Sequence, residues 1–107
     1  VLQWQGGMLV LHCHAAAEWK LGWRAAPAAL QVDLPVPGAV LRYTRSMPLD
    51  PAAQHAHGHP LEVFNAPGLP YFEVESHSPL VALAPGGSFG WQVDEGLQGP
   101  VAGAPGA

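Results

Sequence analysis

The sequence predicts an all-β fold, an antiparallel β-sandwich of short strands, on three grounds. Twelve Pro and thirteen Gly in 107 residues interrupt the chain too often for long helices. Apolar residues, at 49%, suffice for a core, while charged residues reach only 11%, against roughly 25% in ordinary soluble domains. Strand-like runs recur about every eight to twelve residues with turn chemistry between them.

Taken in order, Val1 to Gln5 alternates Leu2 and Trp4 against Gln3 and Gln5, a half-buried strand pattern. Gly6-Gly7 is a hairpin signal, and Met8 to His14 follows as an interior strand. Ala15 to Glu18 suits at most one helical turn. Trp19, Leu21 and Trp23 alternate with Lys20, Gly22 and Arg24, giving a third strand in which Gly22 marks a bulge or a close backbone approach. Leu30 to Leu34 and Ala39 to Arg45 are strands on either side of the turn Pro35-Val36-Pro37-Gly38. Met47 to Pro60 is a long irregular stretch, of the kind that often carries function in a small domain. Leu61 to Asn65, Tyr71 to Ser76, Leu80 to Leu83 and Ser88 to Asp94 are the last four strands, with Phe89, Trp91 and Val93 sharing a face. Patterning stops after Glu95. The division is therefore a β-sandwich domain over residues 1–95 and a disordered Gly/Pro/Ala tail over 96–107.

Charge excludes several functions. The net charge is −4, and the basic residues are Lys20, Arg24, Arg42 and Arg45. That leaves no basic footprint for nucleic acid or for a membrane surface. No apolar run approaches the roughly 18 residues of a membrane span. A single cysteine, Cys13, precludes an internal disulfide, and VLQWQGG is not a signal peptide, which favours the cytoplasm. The start at Val1, already strand-like, leads us to expect a partial domain whose N-terminal half is missing.

The segment LEVFNAPGLPYFEVESHSPLVALAPGGSFGW carries a family pattern. Its pieces are Glu62 to Asn65, Tyr71 to Glu75, Ser78 to Leu80, Leu83 to Gly86 and Phe89 to Val93, with Lys20-Leu21-Gly22 and Leu41 to Arg45 upstream. It resembles the C-terminal part of an uncharacterised family related to the galactose mutarotase-like β-sandwich proteins. Gly87 stands where that family usually has an acidic residue. The resemblance implies about half of a supersandwich, with the N-terminal half or a second chain needed to cover the sheet. It further implies a carbohydrate-binding or aldose-epimerase-like role, vestigial if the catalytic histidines lie in the missing half. The ligand would be a sugar or sugar-derived small molecule, and no cofactor is required.

Glu73 and Glu75, two apart on a strand, share a face about 6.6–6.8 Å apart along the chain. Paired carboxylates suit acid/base work or sugar hydroxyls; the plainer reading is the polar side of a strand whose Phe72 and Val74 point inward. The ligand-binding candidates are Glu62, Glu73 and Glu75, with Lys20 and Arg45 as hydroxyl or carboxylate partners.

A different chemistry is offered by His55-Ala56-His57-Gly58-His59-Pro60-Leu61-Glu62. Histidines two apart on an extended segment project to one side, and Glu62 lies five beyond His57. The spacing resembles the first metal motif of cupins, with His77 loosely in place of a later histidine, Leu49 where a glycine is usual, and Pro85-Gly86 late. On this alternative the chain is a cupin-like β-barrel whose His55, His57 and Glu62 hold one divalent transition metal; a solvated histidine-rich loop is the simpler account. In His12-Cys13-His14, alternation puts the cysteine on the opposite face from the histidines, so they are not one metal set. Trp4, Trp19, Trp23 and Trp91 alternate in ways that suit burial. Gly86-Gly87-Ser88-Phe89-Gly90 has the spelling of a nucleophile elbow but no helix after it. A structural or interaction domain with no ligand is the third reading.

Overall fold

The computed structural model describes residues 2–5, 8–13, 16–24 and 28–101. Every regular element among them is a strand. A hairpin ladder joins β1 (Leu2–Gln5) to β2 (Met8–Leu11). Two antiparallel three-stranded sheets follow. One has the order β3 (Trp19–Trp23), β6 (Leu61–Asn65), β7 (Phe72–Ser76); the other has β4 (Ala28–Val36), β5 (Ala39–Met47), β8 (Asp94–Gln98). The all-β expectation therefore holds. Gly6, Gly7, His14, Ala15 and Ala25 to Pro27, together with residues 102–107 of the expected tail, lie outside the described residues.

β6 is central to its sheet, with β3 and β7 on either side. Its register places Leu21, Val63 and Val74 in one row and Gly22, Glu62 and Glu75 in the next. Side chains alternate across a strand, so the sheet has an apolar face and a charged face. The apolar face includes Trp19, Leu21, Trp23, Leu61, Val63, Phe72 and Val74. Lys20, Gly22, Glu62, Phe64, Glu73 and Glu75 share the other. A small core forms where Ala28, Met47 and Leu61 meet, with Trp23, Leu30, Leu49 and Val93 packed against it. It joins the start of β4, the end of β5 and the start of β6, and so ties the two sheets together. Arg45 adds a polar tie, its Nη1 donating to the Val74 carbonyl at 3.2 Å and to Ser76 Oγ at 2.9 Å.

The β4–β5 hairpin is longer than alternation alone suggested. Pro35 and Val36 belong to β4 and pair with Val40 and Ala39, so the turn shrinks to Pro37-Gly38, with Gly38 at φ 76°. Proline is tolerated there because β4 is an edge strand, where a missing N–H breaks no second ladder.

Three expectations are corrected. Leu80 to Leu83 and Ser88 to Val93 are not strands; they form an irregular segment in which Leu80, Leu83 and Phe89 are exposed. Trp91, expected inside, is 37% exposed, and of the three residues expected to share a face only Val93 packs on the core. The alternation in this segment is real, but a strand needs a neighbouring edge to pair with, and this stretch has none among the described residues. Ordered structure also runs past Glu95. Asp94 to Gln98 form β8 against β5, even though the burial pattern there is fully exposed. Backbone pairing, not apolar content, holds that strand. Finally, Ala16 and Ala17 make a bend and not a helical turn.

Candidate metal centre

The charged face of the β3–β6–β7 sheet carries the most concentrated chemistry among the described residues. Its centre is Glu62, which is 1% exposed although its strand position faces away from the apolar core. Burial of a carboxylate is costly unless cations and hydrogen bonds surround it. Here the chain from Gln54 to Pro60 folds over the sheet and supplies them.

That loop is held at several points. Arg24 donates to the carbonyls of Pro51 and Ala53, and Ala52 N–H donates to Asp50 Oδ1 at 2.9 Å. Gly58 N–H donates to the His55 carbonyl at 3.0 Å, closing a turn. The turn breaks the extended geometry in which alternate histidines would share a side. As a result His57 and His59 reach Glu62 while His55 points elsewhere.

His57 Nδ1 lies 2.8 Å from Glu62 Oε1, and His59 Nε2 lies 2.6 Å from the same oxygen. On the other oxygen, Lys20 Nζ stands 3.1 Å from Oε2 and His77 Nε2 stands 3.9 Å away. Glu75, directly across the ladder from Glu62, is bridged by the same two groups: Lys20 at 3.3 Å and His77 at 3.6 Å. Like charges opposite one another on a sheet are destabilising; Lys20 and His77 lie between them. Oε2 is fully buried and lacks a well-directed hydrogen bond, because the lysine is close in charge terms but off the line a hydrogen bond requires. Burial by itself pushes the Glu62 pKa up. Lys20 foremost, then His57 and His59, overcome this and bring it down to about 2. Glu62, and to a lesser degree Glu75, hold the Lys20 ammonium above its usual range.

Gly22 makes the His59 position possible. A Cβ at Gly22 would collide with the His59 imidazole at Nε2, Cδ2 and Cε1. Gly22 is the ladder partner of Glu62, so the bare backbone there lets the ring lie on the sheet beside the carboxylate. The close approach expected at Gly22 is thus to a side chain of this chain.

His57, Glu62 and His77 form a group with one donor atom each, all within 4.8 Å of one another. The His57 and His77 rings meet edge-on at 4.5 Å. Nitrogen and oxygen donors about 2.0–2.2 Å from a zinc ion would lie roughly 3.3 Å apart, so shifts of about an ångström close the set. Each donor nitrogen must shed its proton to coordinate.

His77 was foreseen only loosely, and its anchoring explains its place. Its N–H donates to the Pro60 carbonyl at 2.8 Å. Its carbonyl lies 3.0 Å from His55 Nδ1, which also faces the Ser78 carbonyl at 3.1 Å. His55, expected as a ligand, is buried and holds the backbone at His77 and Ser78. Of the expected set His55, His57 and Glu62, the structure brings together His57 and Glu62, with His77 as the third member of the group.

Of the other candidates, Glu75 and Lys20 belong to the cluster. Glu73 shares its face two rows along, opposite Phe64, and is exposed. Arg45 is committed elsewhere, to Tyr43, Val74, Ser76 and Glu95. The two best-formed surface depressions are lined by Glu18, Phe64 and Ala66 to Leu69, and by Arg24, Pro51 to His55 and Gly58; neither includes Glu62, Glu75 or Lys20.

Compared with protein-family models, with curated proteins and with solved structures, the chain matches none.

Proposed function

We propose that this chain is a metal-binding β-domain in which His57, Glu62 and His77 hold one divalent first-row transition ion. One observation carries the reading: a fully buried carboxylate oxygen, Glu62 Oε2, lacks a hydrogen bond and lies 3.9 Å from His77 Nε2, in a group of donors with His57. Two neutral imidazoles and a carboxylate are a donor set for Zn, Fe, Mn or Ni. Three protein donors leave coordination positions free, as catalytic sites do and closed structural sites do not. His59 would brace Glu62, and His55 would fix His77, the supporting contacts that orient metal ligands.

The test is calorimetric titration of tag-free protein with Zn2+ and Ni2+. One equivalent should bind, and His57→Ala and His77→Ala should each weaken binding by well over tenfold. His55→Ala should cost about tenfold, as removal of a supporting contact does. Protein that takes up no metal and whose melting is indifferent to EDTA would sink the proposal.

The mutarotase-like carbohydrate reading uses the same face and is supported by Glu62, Glu75 and Lys20 meeting there. It is the weaker of the two, because both Glu62 oxygens are enclosed by side chains of the chain itself and neither depression described above includes Glu62. Catalysed anomer exchange of an aldose by the metal-free protein would reverse that order.

A further inference from the structure

Lys20 is the single lysine of the sequence. Its ammonium lies 3.1 Å from Glu62 and 3.3 Å from Glu75, beside the oxygen that the metal reading assigns to the ion. It also lies 5.9 Å from the centre of the Phe64 ring. Its stem rises from β3 at the rim of the site, and the side chain is 47% exposed.

We propose that Lys20 is a tethered counter-cation that balances the metal-free site and is expelled to solvent when a divalent ion binds; this rests on the metal-binding reading above. Three facts drive the inference. Glu62 is 1% exposed, so its charge needs a cation nearby in either state. A monovalent ammonium and a divalent ion on the same carboxylate repel strongly in a site shielded from water. Of the groups around Glu62, only Lys20 combines a compact charge, a flexible four-carbon stem and a short path to solvent. His57 and His77 stay as ligands once deprotonated, and His59 is held against the Gly22 backbone.

Metal binding is then an exchange of one cation for another, and Lys20 lowers the apparent affinity by the cost of its own displacement. The coupling is reciprocal: whatever holds Lys20 on the carboxylates opposes the metal, and metal frees the amine.

Two measurements test this on the intact chain. Acetylation by N-hydroxysuccinimidyl acetate at neutral pH, read by mass spectrometry of the Lys20 peptide, uses the chain's α-amine as internal reference. Adding one equivalent of Zn2+ should raise Lys20 labelling severalfold while the reference stays constant. Unchanged or reduced Lys20 labelling in Zn2+-loaded protein overturns the exchange. In the second, Lys20→Met should bind Zn2+ roughly tenfold or more tightly than the natural sequence, and Lys20→Arg should not. Equal or weaker binding by folded Lys20→Met overturns it as well. Because labelling uses the natural sequence, a misfolded variant does not rescue the idea. Zn2+ binding without amine release removes this inference alone. Absence of Zn2+ binding by both the natural sequence and Lys20→Met removes the metal reading and this inference together.

Discussion

The β3–β6–β7 and β4–β5–β8 sheets have the same number of strands and the same antiparallel pairing, yet they place charge differently. In the second sheet, Arg42 faces Asp33 across the hairpin, with Nε to Oδ1 at 2.9 Å and Nη2 to Oδ2 at 3.3 Å. Tyr43 donates to Glu95 at 2.7 Å, and Arg45 stands 3.5 Å from the same carboxylate. These pairs lie on or near the surface, and each cation has one acid. In the first sheet a carboxylate sits under a loop, with three imidazoles and an ammonium around it. Surface pairs fasten strands at small net gain. A buried carboxylate with surplus cationic and donor groups is costly as architecture alone, which is why the first sheet reads as a site.

Substitution at the two acids is the most direct way to break this contrast. Glu62→Ala should destabilise the fold by about 2–3 kcal/mol, because it leaves a gap under the loop and removes the acceptor shared by His57 and His59. Asp33→Ala should cost about 1 kcal/mol or less. Urea unfolding of the two variants measures both, and equal losses would erase the distinction between the sheets.

The next largest effect is expected at Gly22. Gly22→Ala should cost about 2 kcal/mol, the scale of overpacking, by evicting His59. The double variant Gly22→Ala/His59→Ala should be no less stable than His59→Ala, within about 0.5 kcal/mol. Independent, additive losses would show that His59 does not lie on Gly22.

Acid should act on the first sheet through Glu62. Its pKa falls from an ordinary 4.5 to about 2 on folding, so the unfolded chain takes up the proton first. The stabilisation is complete above pH 4.5 and is lost as pH falls from there toward 2. Glu62→Gln should flatten that part of the stability–pH curve. A slope as steep as in the natural sequence would place the acid-sensitive group elsewhere. The smallest effect belongs to the hairpin: Arg42→Ala should cost about 0.5–1 kcal/mol, less at high salt, by thermal melting.

Much of the first sheet was legible beforehand. Period-two alternation located β3, β6 and β7, and it put Glu73 and Glu75 on one face, because side-chain direction in a strand is a local property. The same rule misplaced His55, since Gly58 closes a turn that alternation does not see. It also produced strands at Leu80 to Leu83 and Ser88 to Asp94, where apolar residues alternate but no neighbouring edge pairs with them. In the opposite direction, β8 was overlooked because Asp94 to Gln98 have little to bury; that strand exists through its ladder to β5. His77 carried a weak signal at best. What distinguishes it is the pair of backbone contacts to Pro60 and His55, which lie far from it in the chain.

The sequence by itself determined the all-β class, the charged face of one sheet and the residue types available to it. Pro/Gly spacing, alternation and composition act over a few residues and need no distant partner. Tertiary structure alone decided which of those residues meet. The row Gly22, Glu62, Glu75 comes from ladder register between residues forty and thirteen positions apart, and the cover over Glu62 comes from a loop folded back across that row. Burial then turned an ordinary surface glutamate into a carboxylate that must be surrounded by cations, a property that no local pattern encodes.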